Sequence, residues 1–313
     1  MPVFTNYNQF YSRRLIGLDT YFNEMIKLYD VKRFPKVLLL NGKKGIGKFT
    51  LIMHFLNYIF SKKEINSYNI KDKEINVKSI FYNLLLNNTT GDVILIQAQE
   101  NKNIKIDDIR SLKSTLANST MSNNPRFTII DEVEFLNANS INALLKTLEE
   151  PSDNNFFILI NNQQADLIET ISSRCLKSNI FLSRTQNDEV IDYLIKDRSV
   201  ENLIDSNYSL SPGLFLKYNE IFLKYRINHD DNIFIKLNIL ITNYKKEKNK
   251  FLINLAFFLI DYSFFYKIKN NKNNIEFLLK RKSSIINIIH DFVKYNLNIN
   301  SVLDSIKVKL KNV

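Results

Sequence analysis

Five short apolar runs are spaced along the first 183 residues and alternate with helical patterns. These runs are Val37–Leu40, Val93–Ile96, Phe127–Ile130, Phe156–Ile160 and Ile180–Leu182. Strands that are buried on both faces carry apolar residues at successive positions, because helices cover each face of their sheet. The pattern therefore predicts an α/β domain with a parallel sheet over residues 1–183.

Two apolar stripes between these runs predict helices that pack on the sheet. One stripe consists of Ile141, Leu144, Leu145 and Leu148, with Asn139 as the predicted N-cap and Pro151 as the end. The other consists of Ile109, Leu112 and Leu116. Residues three and four positions apart lie on one face of a helix, so each stripe is typical of an amphipathic helix.

The strand pattern ends near residue 183, and only helical patterns follow. Val190, Tyr193, Leu194 and Leu203 predict a small helical domain over residues 184–220, with a turn at Ser211-Pro212-Gly213. Residues 221–313 contain helical apolar runs separated by segments rich in Lys and Asn. We therefore expect a third, all-α domain over residues 221–313.

Composition and the apolar runs favour a cytoplasmic protein that does not enter a membrane. The longest apolar run, Phe251 to Tyr266, contains Asn254 and Asp261 and is shorter than the roughly 20 residues that span a bilayer. We expect no secretion signal, because no basic start is followed by an apolar run and a cleavage site. The one cysteine, Cys175, excludes an intramolecular disulfide and a multi-cysteine zinc site.

The positive charge is concentrated at the C-terminal end. Of the net charge of +11, residues 221–313 hold most, with 17 Lys and Arg against 7 Asp and Glu. This asymmetry favours a nucleic acid or an acidic partner for the C-terminal domain. The alternative is a solvated face on which lysines are simply scattered.

A phosphate-binding loop is predicted directly after the first apolar run. Gly42, Gly45, Gly47 and Lys48 fit the pattern GxxxxGK between a strand and a helix. The glycines allow backbone angles at which successive N–H groups point at phosphate oxygens, and the lysine reaches the outer phosphates. These four residues are therefore predicted to bind a nucleotide.

The residue after the lysine departs from that pattern. A Ser or Thr hydroxyl at this position normally ligates Mg²⁺, but Phe49 has no oxygen. Thr50 follows one position later, where a helical step turns the side chain by about 100°. We include Thr50 among the nucleotide-binding candidates, but we do not expect a magnesium ligand here.

Two acidic residues follow the third apolar run. Asp131 and Glu132 stand where P-loop ATPases place one carboxylate near magnesium and a second that orients the attacking water. The alternative is that both acids only cap the next helix. Asn162, after the fourth apolar run, is predicted to sense the terminal phosphate, although asparagine is common at strand ends.

Longer segments make a family resemblance specific. The segments "IDEVEFLNANSINALLKTLEEPSDNNFFILINNQ", "LIETISSRC", "FPKVLLLNGKKGIGKFTL" and "LSPGLFL" closely resemble the clamp-loader branch of the AAA+ ATPases. Within that branch they are similar to the delta-prime subunits of bacterial DNA polymerase III. The resemblance extends over roughly residues 10 to 220. It implies a RecA-like AAA+ P-loop domain, a helical lid, and an all-α collar that joins subunits.

The resemblance also implies a partner set and a role for one arginine. Clamp-loader subunits form a five-membered open ring that uses ATP to place a sliding clamp on primed DNA. The expected partners are the motor subunits of gamma or tau type, the delta subunit, the clamp and primer-template DNA. Arg174 would be an arginine finger that reaches the ATP of a neighbouring subunit, whereas an isolated arginine is ordinarily a surface or salt-bridged residue. Cys175 would pack as a small buried hydrophobe.

Two departures from the motor subunits argue against autonomous hydrolysis. Phe49 replaces the magnesium ligand, and Leu214 occupies the place of an arginine that senses the γ-phosphate. The retained Lys48, Asp131 and Glu132 are compatible with bound ATP or ADP. The zinc module of many delta-prime subunits is not expected, because there is one cysteine. The alternatives are an ATP-hydrolysing clamp-loader or DNA-repair motor and, with less support, a small-molecule P-loop kinase.

Overall fold

The computed structural model describes residues 12–87, 89–97, 104–117, 124–198, 210–270 and 274–311. Their contacts divide them into two compact units. The first unit holds the residues up to 198 together with 210–216, and the second holds residues 217–311. Leu203, which was expected in the lid, lies outside the described residues.

A five-stranded parallel sheet forms the centre of the first unit and confirms the predicted α/β class. The strands are β1 (Val37–Asn41), β2 (Val93–Gln97), β3 (Arg126–Asp131), β4 (Asn155–Asn161) and β5 (Leu176–Asn179), in the spatial order β2-β3-β4-β1-β5. Because the pairs are parallel, the carboxyl ends of β1, β3 and β4 lie at one edge of the sheet. This edge gathers the loop after β1 with the polar residues after β3 and β4.

Helices cover the sheet on both faces. The helices up to residue 198 are α1 (Asp19–Asp30), α2 (Lys48–Ser61), α3 (Ile80–Leu86), α4 (Ile106–Ala117), α5 (Ala138–Glu149), α6 (Glu169–Ser172) and α7 (Arg184–Arg198). The side chains of α1, α2 and α3 pack into one apolar core, and those of α4 and α5 pack into a second. Each face of the sheet contributes to one of these cores, which explains the continuous apolar runs of the central strands.

Two predictions, for the fifth strand and for the N-cap of α5, are wrong. The fifth strand is Leu176–Asn179 and not Ile180–Leu182. It lies at the edge of the sheet with exposed or half-buried side chains, so it has no apolar run to reveal it. The N-cap of α5 is Asn137, whose side chain accepts a hydrogen bond from the Ser140 N–H at 2.8 Å, whereas Asn139 lies inside the helix.

The described part of the second unit is helical. Helix α8 (Pro212–Lys224) enters it and is followed by α9 (Ile233–Glu247), α10 (Lys250–Asn270), α11 (Ile275–Tyr295) and α12 (Ile299–Lys311). Helix α10 packs between α9 and α11, and α12 packs on both α9 and α11. Among the described residues, α10 alone is long and apolar enough to cross a membrane, by length and composition only. Its buried Leu252, Leu255 and Ile260 belong to the core of this unit.

The boundaries expected between three domains stay predictions. Helix α7 and the first turn of α8 group with the sheet by their contacts, so a lid is not separated from the first unit.

Candidate nucleotide-binding site

The loop between β1 and α2 has the backbone shape of an anion-binding nest. Gly45 and Gly47 adopt φ values of +83° and +94°, which residues with a Cβ rarely reach. A Cβ at Gly42 would meet the backbone oxygen of Ile180, so glycine is required there for space. Within the described part of the chain, the N–H groups of Gly45, Ile46 and Gly47 have no hydrogen-bond partner. The predicted glycines therefore leave three neighbouring donors for a ligand.

Lys48, the first residue of α2, is folded onto this loop. Its Nζ donates to the backbone oxygens of Gly42 at 2.6 Å and Lys43 at 2.7 Å, and the residue is 3% exposed. Burial lowers the pKa of Lys48 to about 8, although the charges of Asp131 and Glu134 oppose this shift. The ammonium therefore stays mostly protonated at pH 7 and lies within the loop where phosphates would bind.

The residues after Lys48 do not fit a magnesium ion. Phe49 is 7% exposed and its side chain belongs to the apolar core, so it contributes no oxygen to the loop. Thr50 is half-buried in the first turn of α2. The inner-sphere oxygen that a P-loop hydroxyl would supply is therefore missing at residue 49.

The acids after β3 lie at the same edge of the sheet. Asp131 Oδ1 accepts hydrogen bonds from the Asn162 Nδ2 at 3.2 Å and from the Glu132 N–H at 2.9 Å. Burial, followed by the neighbouring charge of Glu132, raises the pKa of Asp131 to about 6. The structure thus brings Asp131 and Asn162 together, as the order of the strands requires.

Glu132 is paired with a lysine of the phosphate loop. The Nζ of Lys44 lies 2.6 Å from Glu132 Oε1, and Gln164 Nε2 donates to the same oxygen at 3.3 Å. Glu132 has a φ of +58°, and this left-handed backbone begins the 3₁₀ turn Val133–Phe135. Lys44 was not predicted from the sequence, because its position in GxxxxGK is unrestricted.

Glu134 is a second residue that the motif analysis missed. Its Oε1 accepts from the N–H groups of Asn162 at 3.0 Å and Gln164 at 3.4 Å, and burial raises its pKa. The carboxylate thereby fixes the loop after β4, which carries Asn162. Its position two residues after Glu132 was the only sequence signal for this role.

The start of α8 packs directly on the phosphate loop, and the turn expected at Ser211-Pro212-Gly213 is wrong because Pro212 and Gly213 already lie in the first turn of this helix. Ser211 Oγ donates to the Lys44 oxygen at 2.8 Å, and the Gly213 N–H donates to the Gly45 oxygen at 2.7 Å. A Cβ on Gly213 would lie 2.8 Å from Gly45 Cα. These bonds use loop carbonyls, which leaves the loop N–H groups available. Leu214, which the resemblance leads us to expect at the position of an arginine in motor subunits, is the next residue of α8.

Arg174 is separate from this cluster. It lies between α6 and β5, and its guanidinium pairs with Glu149 at 2.6 Å and donates to the Thr170 oxygen at 2.8 Å. Its side chain is 32% exposed.

The adjacent Cys175 is half-buried, and burial raises the pKa of its thiol to about 11. Among the described residues, no group of three His, Cys, Asp or Glu side chains is placed to hold a metal ion.

Comparisons with known proteins agree on one family. The family model described as "DNA polymerase III, delta subunit" matches residues 18–182. The chain is 25% identical over 290 residues to a DNA polymerase III subunit delta' of Buchnera aphidicola subsp. Baizongia pistaciae, covering 90% of this chain and 79% of the relative. A delta' subunit of Pseudomonas aeruginosa is 29% identical, but that match covers only 44% of this chain and 41% of the relative.

A motor-type relative and a solved structure are also similar. The DNA polymerase III subunit gamma of Buchnera aphidicola subsp. Acyrthosiphon pisum is 30% identical over 64% of this chain and 53% of its own length. A DNA polymerase III gamma subunit-related protein of Thermotoga maritima has a TM-score of 0.50 and 18% identity, covering 94% of this chain and 99% of its own. The latter likeness establishes the AAA+ type of fold alone. Since the family model matches more than half of the chain, this protein belongs to the DNA polymerase III delta-subunit family and is a clamp-loader family member.

Proposed function

We propose that this chain is a delta-prime-like subunit of the DNA polymerase III clamp loader that does not hydrolyse ATP itself. It would act in the cytoplasm with motor subunits of gamma or tau type and a delta subunit, and assist ATP-driven loading of the sliding clamp on primed DNA. The observation that carries the proposal is that Arg174 makes its polar contacts outside a P-loop site in which residue 49 offers no magnesium ligand.

The first support is the state of the acids at the P-loop. Hydrolysis requires a carboxylate that orients water and a metal that neutralises the phosphates. Glu132 is ion-paired to Lys44 at 2.6 Å, and Phe49 lies in the apolar core instead of offering a hydroxyl. Both features oppose hydrolysis at this chain's own site.

The second support is the environment of Arg174. Its guanidinium is held by Glu149 and by the Thr170 oxygen, and neither belongs to the phosphate loop. A partly exposed arginine that is held in place by its own chain is suited to reach a nucleotide on a neighbouring subunit. Such a finger is worth about 10³- to 10⁵-fold in phosphoryl transfer. We therefore assign Arg174 to a trans-acting role.

Reconstitution from purified components tests the assembly part of the proposal. Motor subunits of gamma or tau type and delta from the same organism would be mixed with this chain, and the mixture would be measured by native mass spectrometry and by clamp loading on primed DNA. We expect a complex of fixed stoichiometry that loads clamps, and mixtures without this chain that do not. Equal loading with and without the chain would contradict the proposal.

An ATP-hydrolysing motor is the second candidate, and one observation favours it. Asp131 accepts a hydrogen bond from Asn162 at 3.2 Å and its charge acts on Lys48, so the acid, the amide and the lysine of a P-loop ATPase are all retained. Phosphate release by the isolated chain distinguishes the two candidates, since only the motor candidate turns over ATP alone.

A further inference from the structure

The ammonium of Lys44 pairs with one of the two acids that P-loop ATPases place near their divalent cation. Lys44 Nζ lies 2.6 Å from Glu132 Oε1, with 29% of the Lys44 side chain and 19% of the Glu132 side chain exposed. The charge of Lys44 also acts on Asp131, whose carboxylate it favours. Lys44 is thus a protein-borne cation that pairs with Glu132 and whose charge also reaches Asp131.

The same loop offers the remaining groups that bind phosphate. The three unpartnered N–H groups at Gly45, Ile46 and Gly47 form the nest, and Lys48 lies within the loop. The Ser211 hydroxyl and the Gly213 N–H donate hydrogen bonds to the carbonyls of Lys44 and Gly45, so they stabilise the loop without using its N–H groups. These N–H and ammonium groups can donate hydrogen bonds to phosphate oxygens without a metal ion.

Phe49 cannot ligate magnesium in any side-chain conformation, because its side chain has no oxygen. Phe49 is 7% exposed and belongs to the apolar core to which α1 and α2 both contribute. An ammonium has three donors and no acceptor, so one lysine can keep Glu132 and also contact a phosphate oxygen. The positive charge that a metal supplies elsewhere is available here from Lys44.

We infer that this loop binds the phosphates of a nucleoside diphosphate or triphosphate without a divalent metal, and that Lys44 takes the charge-neutralising place of magnesium. The inference rests on the proposed function in treating the loop as a nucleotide site. It is independent of Arg174 and of assembly. Bound nucleotide would then be a structural ligand that is not consumed.

Calorimetric titration of the full chain tests the metal independence directly. ADP and ATP would each be titrated in buffer with Mg²⁺ and in buffer with excess EDTA. We expect the same dissociation constant within about twofold, because no protein group would contact a metal. Binding that is lost or weakened more than about tenfold in EDTA would overturn the inference, and so would the absence of binding in both buffers.

Matched lysine variants test the role of Lys44. Lys44→Met and Lys43→Met each remove one positive charge, but Lys43 is an exposed neighbour. In EDTA we expect Lys44→Met to weaken ADP binding by about tenfold, which corresponds to ~1.4 kcal/mol, and Lys43→Met to change it by less than about threefold. Equal effects of the two variants would overturn the assignment of Lys44.

Two further measurements keep the result interpretable. Thermal unfolding of each variant shows whether it is folded, and Lys44→Arg keeps the charge if the methionine variant is unstable. Lys44→Arg is expected to bind ADP in EDTA within about threefold of the parent chain. A parent-like Lys44→Met and a weakened Lys44→Arg together would contradict the charge argument. Failure of these tests leaves loader assembly and the Arg174 experiment unaffected, so the two proposals fail separately.

Discussion

Arg174 and Glu149 form a two-contact ion pair within the chain. The Nη2 and Nε atoms of Arg174 lie 2.6 Å and 2.7 Å from the same Oε1 of Glu149. Glu149 is the last residue of α5, the helix that follows the acids of β3. The orientation of the arginine is therefore fixed by an element of this chain's own P-loop domain, before any partner binds.

Loss of this pair is expected to affect the trans-acting role more than the fold. Glu149→Gln should lower the free energy of unfolding by less than about 1 kcal/mol, because both side chains are partly exposed. It should reduce ATP turnover of the reconstituted loader to a smaller extent than removal of Arg174, since the arginine is loosened but present. Glu150→Gln, at the exposed neighbour, is the control. Turnover at the parent level in Glu149→Gln would show that the pair does not position the arginine.

The isolated chain is expected to release no phosphate from ATP above the level of Lys48→Ala. Phe49 supplies no metal ligand, and Glu132 is paired with Lys44. A coupled phosphate assay with and without DNA measures this rate. Turnover that depends on Lys48 would instead identify the chain as a motor subunit.

The sequence predicted strands β1 to β4 well and the edge strand β5 poorly, for a physical reason. Strands β1, β3 and β4 are covered on both faces, so successive residues are buried and the sequence shows continuous apolar runs. Strand β5 has one neighbour and carries Leu176 at 57% exposure, so its residues are not selected for burial. The fifth strand was therefore predicted one step too late along the chain, at Ile180–Leu182, where Ile180 is buried.

The candidate site was predicted as far as its motifs extend. Spacing alone placed Lys48, Asp131 and Asn162 at one edge, because parallel strands bring their carboxyl ends together. The ion pair between Lys44 and Glu132 joins residues 88 positions apart, and no local pattern encodes it. This ion pair forms because the fold brings the loop after β1 close to the end of β3.

The close approach of Gly213 and Gly45 predicts a glycine requirement. An alanine at residue 213 would favour helix α8 by about 1 kcal/mol, but its Cβ would lie 2.8 Å from Gly45 Cα and 3.0 Å from the Gly45 oxygen. These are backbone atoms, so the clash outweighs the gain. We expect Gly213→Ala to lower the free energy of unfolding by about 1–3 kcal/mol. Urea unfolding measures the change.

Gly91→Ala is the matched control for this substitution. A Cβ at Gly91 would have no atom within 4 Å, so the change in stability should stay within about 0.5 kcal/mol. Equal effects of the two substitutions would show that the contact between the start of α8 and the phosphate loop does not restrict residue 213.

His54 predicts a loss of stability in acid. It is completely buried, its Nδ1 and Nε2 lie 2.9 Å from Tyr68 Oη and 3.1 Å from the Ser12 oxygen, and burial lowers its pKa to about 3. Between pH 3 and pH 6.5, the usual pKa of histidine in an unfolded chain, the unfolded state binds more protons than the folded state. The contribution of His54 to stability is therefore complete above pH 6.5 and is lost as the pH falls.

Comparison of variants isolates this contribution. From pH 7 to pH 5, the parent chain should lose about 2 kcal/mol more than His54→Gln in urea unfolding. His290→Gln, which replaces an exposed histidine, should keep the pH dependence of the parent. Other titrating groups, including Asp131, cancel in the difference. Identical pH slopes for the parent and His54→Gln would mean that His54 is not held neutral in the folded chain.

The ATP turnover and clamp loading of reconstituted complexes that differ only at Arg174 test the central claim most directly. Arg174→Ala should leave assembly intact and change stability by less than about 1 kcal/mol, because the side chain is partly exposed. Turnover at the one site that Arg174 serves should fall by about 10³- to 10⁵-fold, and total turnover should fall less because other sites keep their own fingers. Clamp loading at saturating ATP is expected to drop strongly. An equal loading rate in the Arg174→Ala and parent complexes would contradict the trans-acting role.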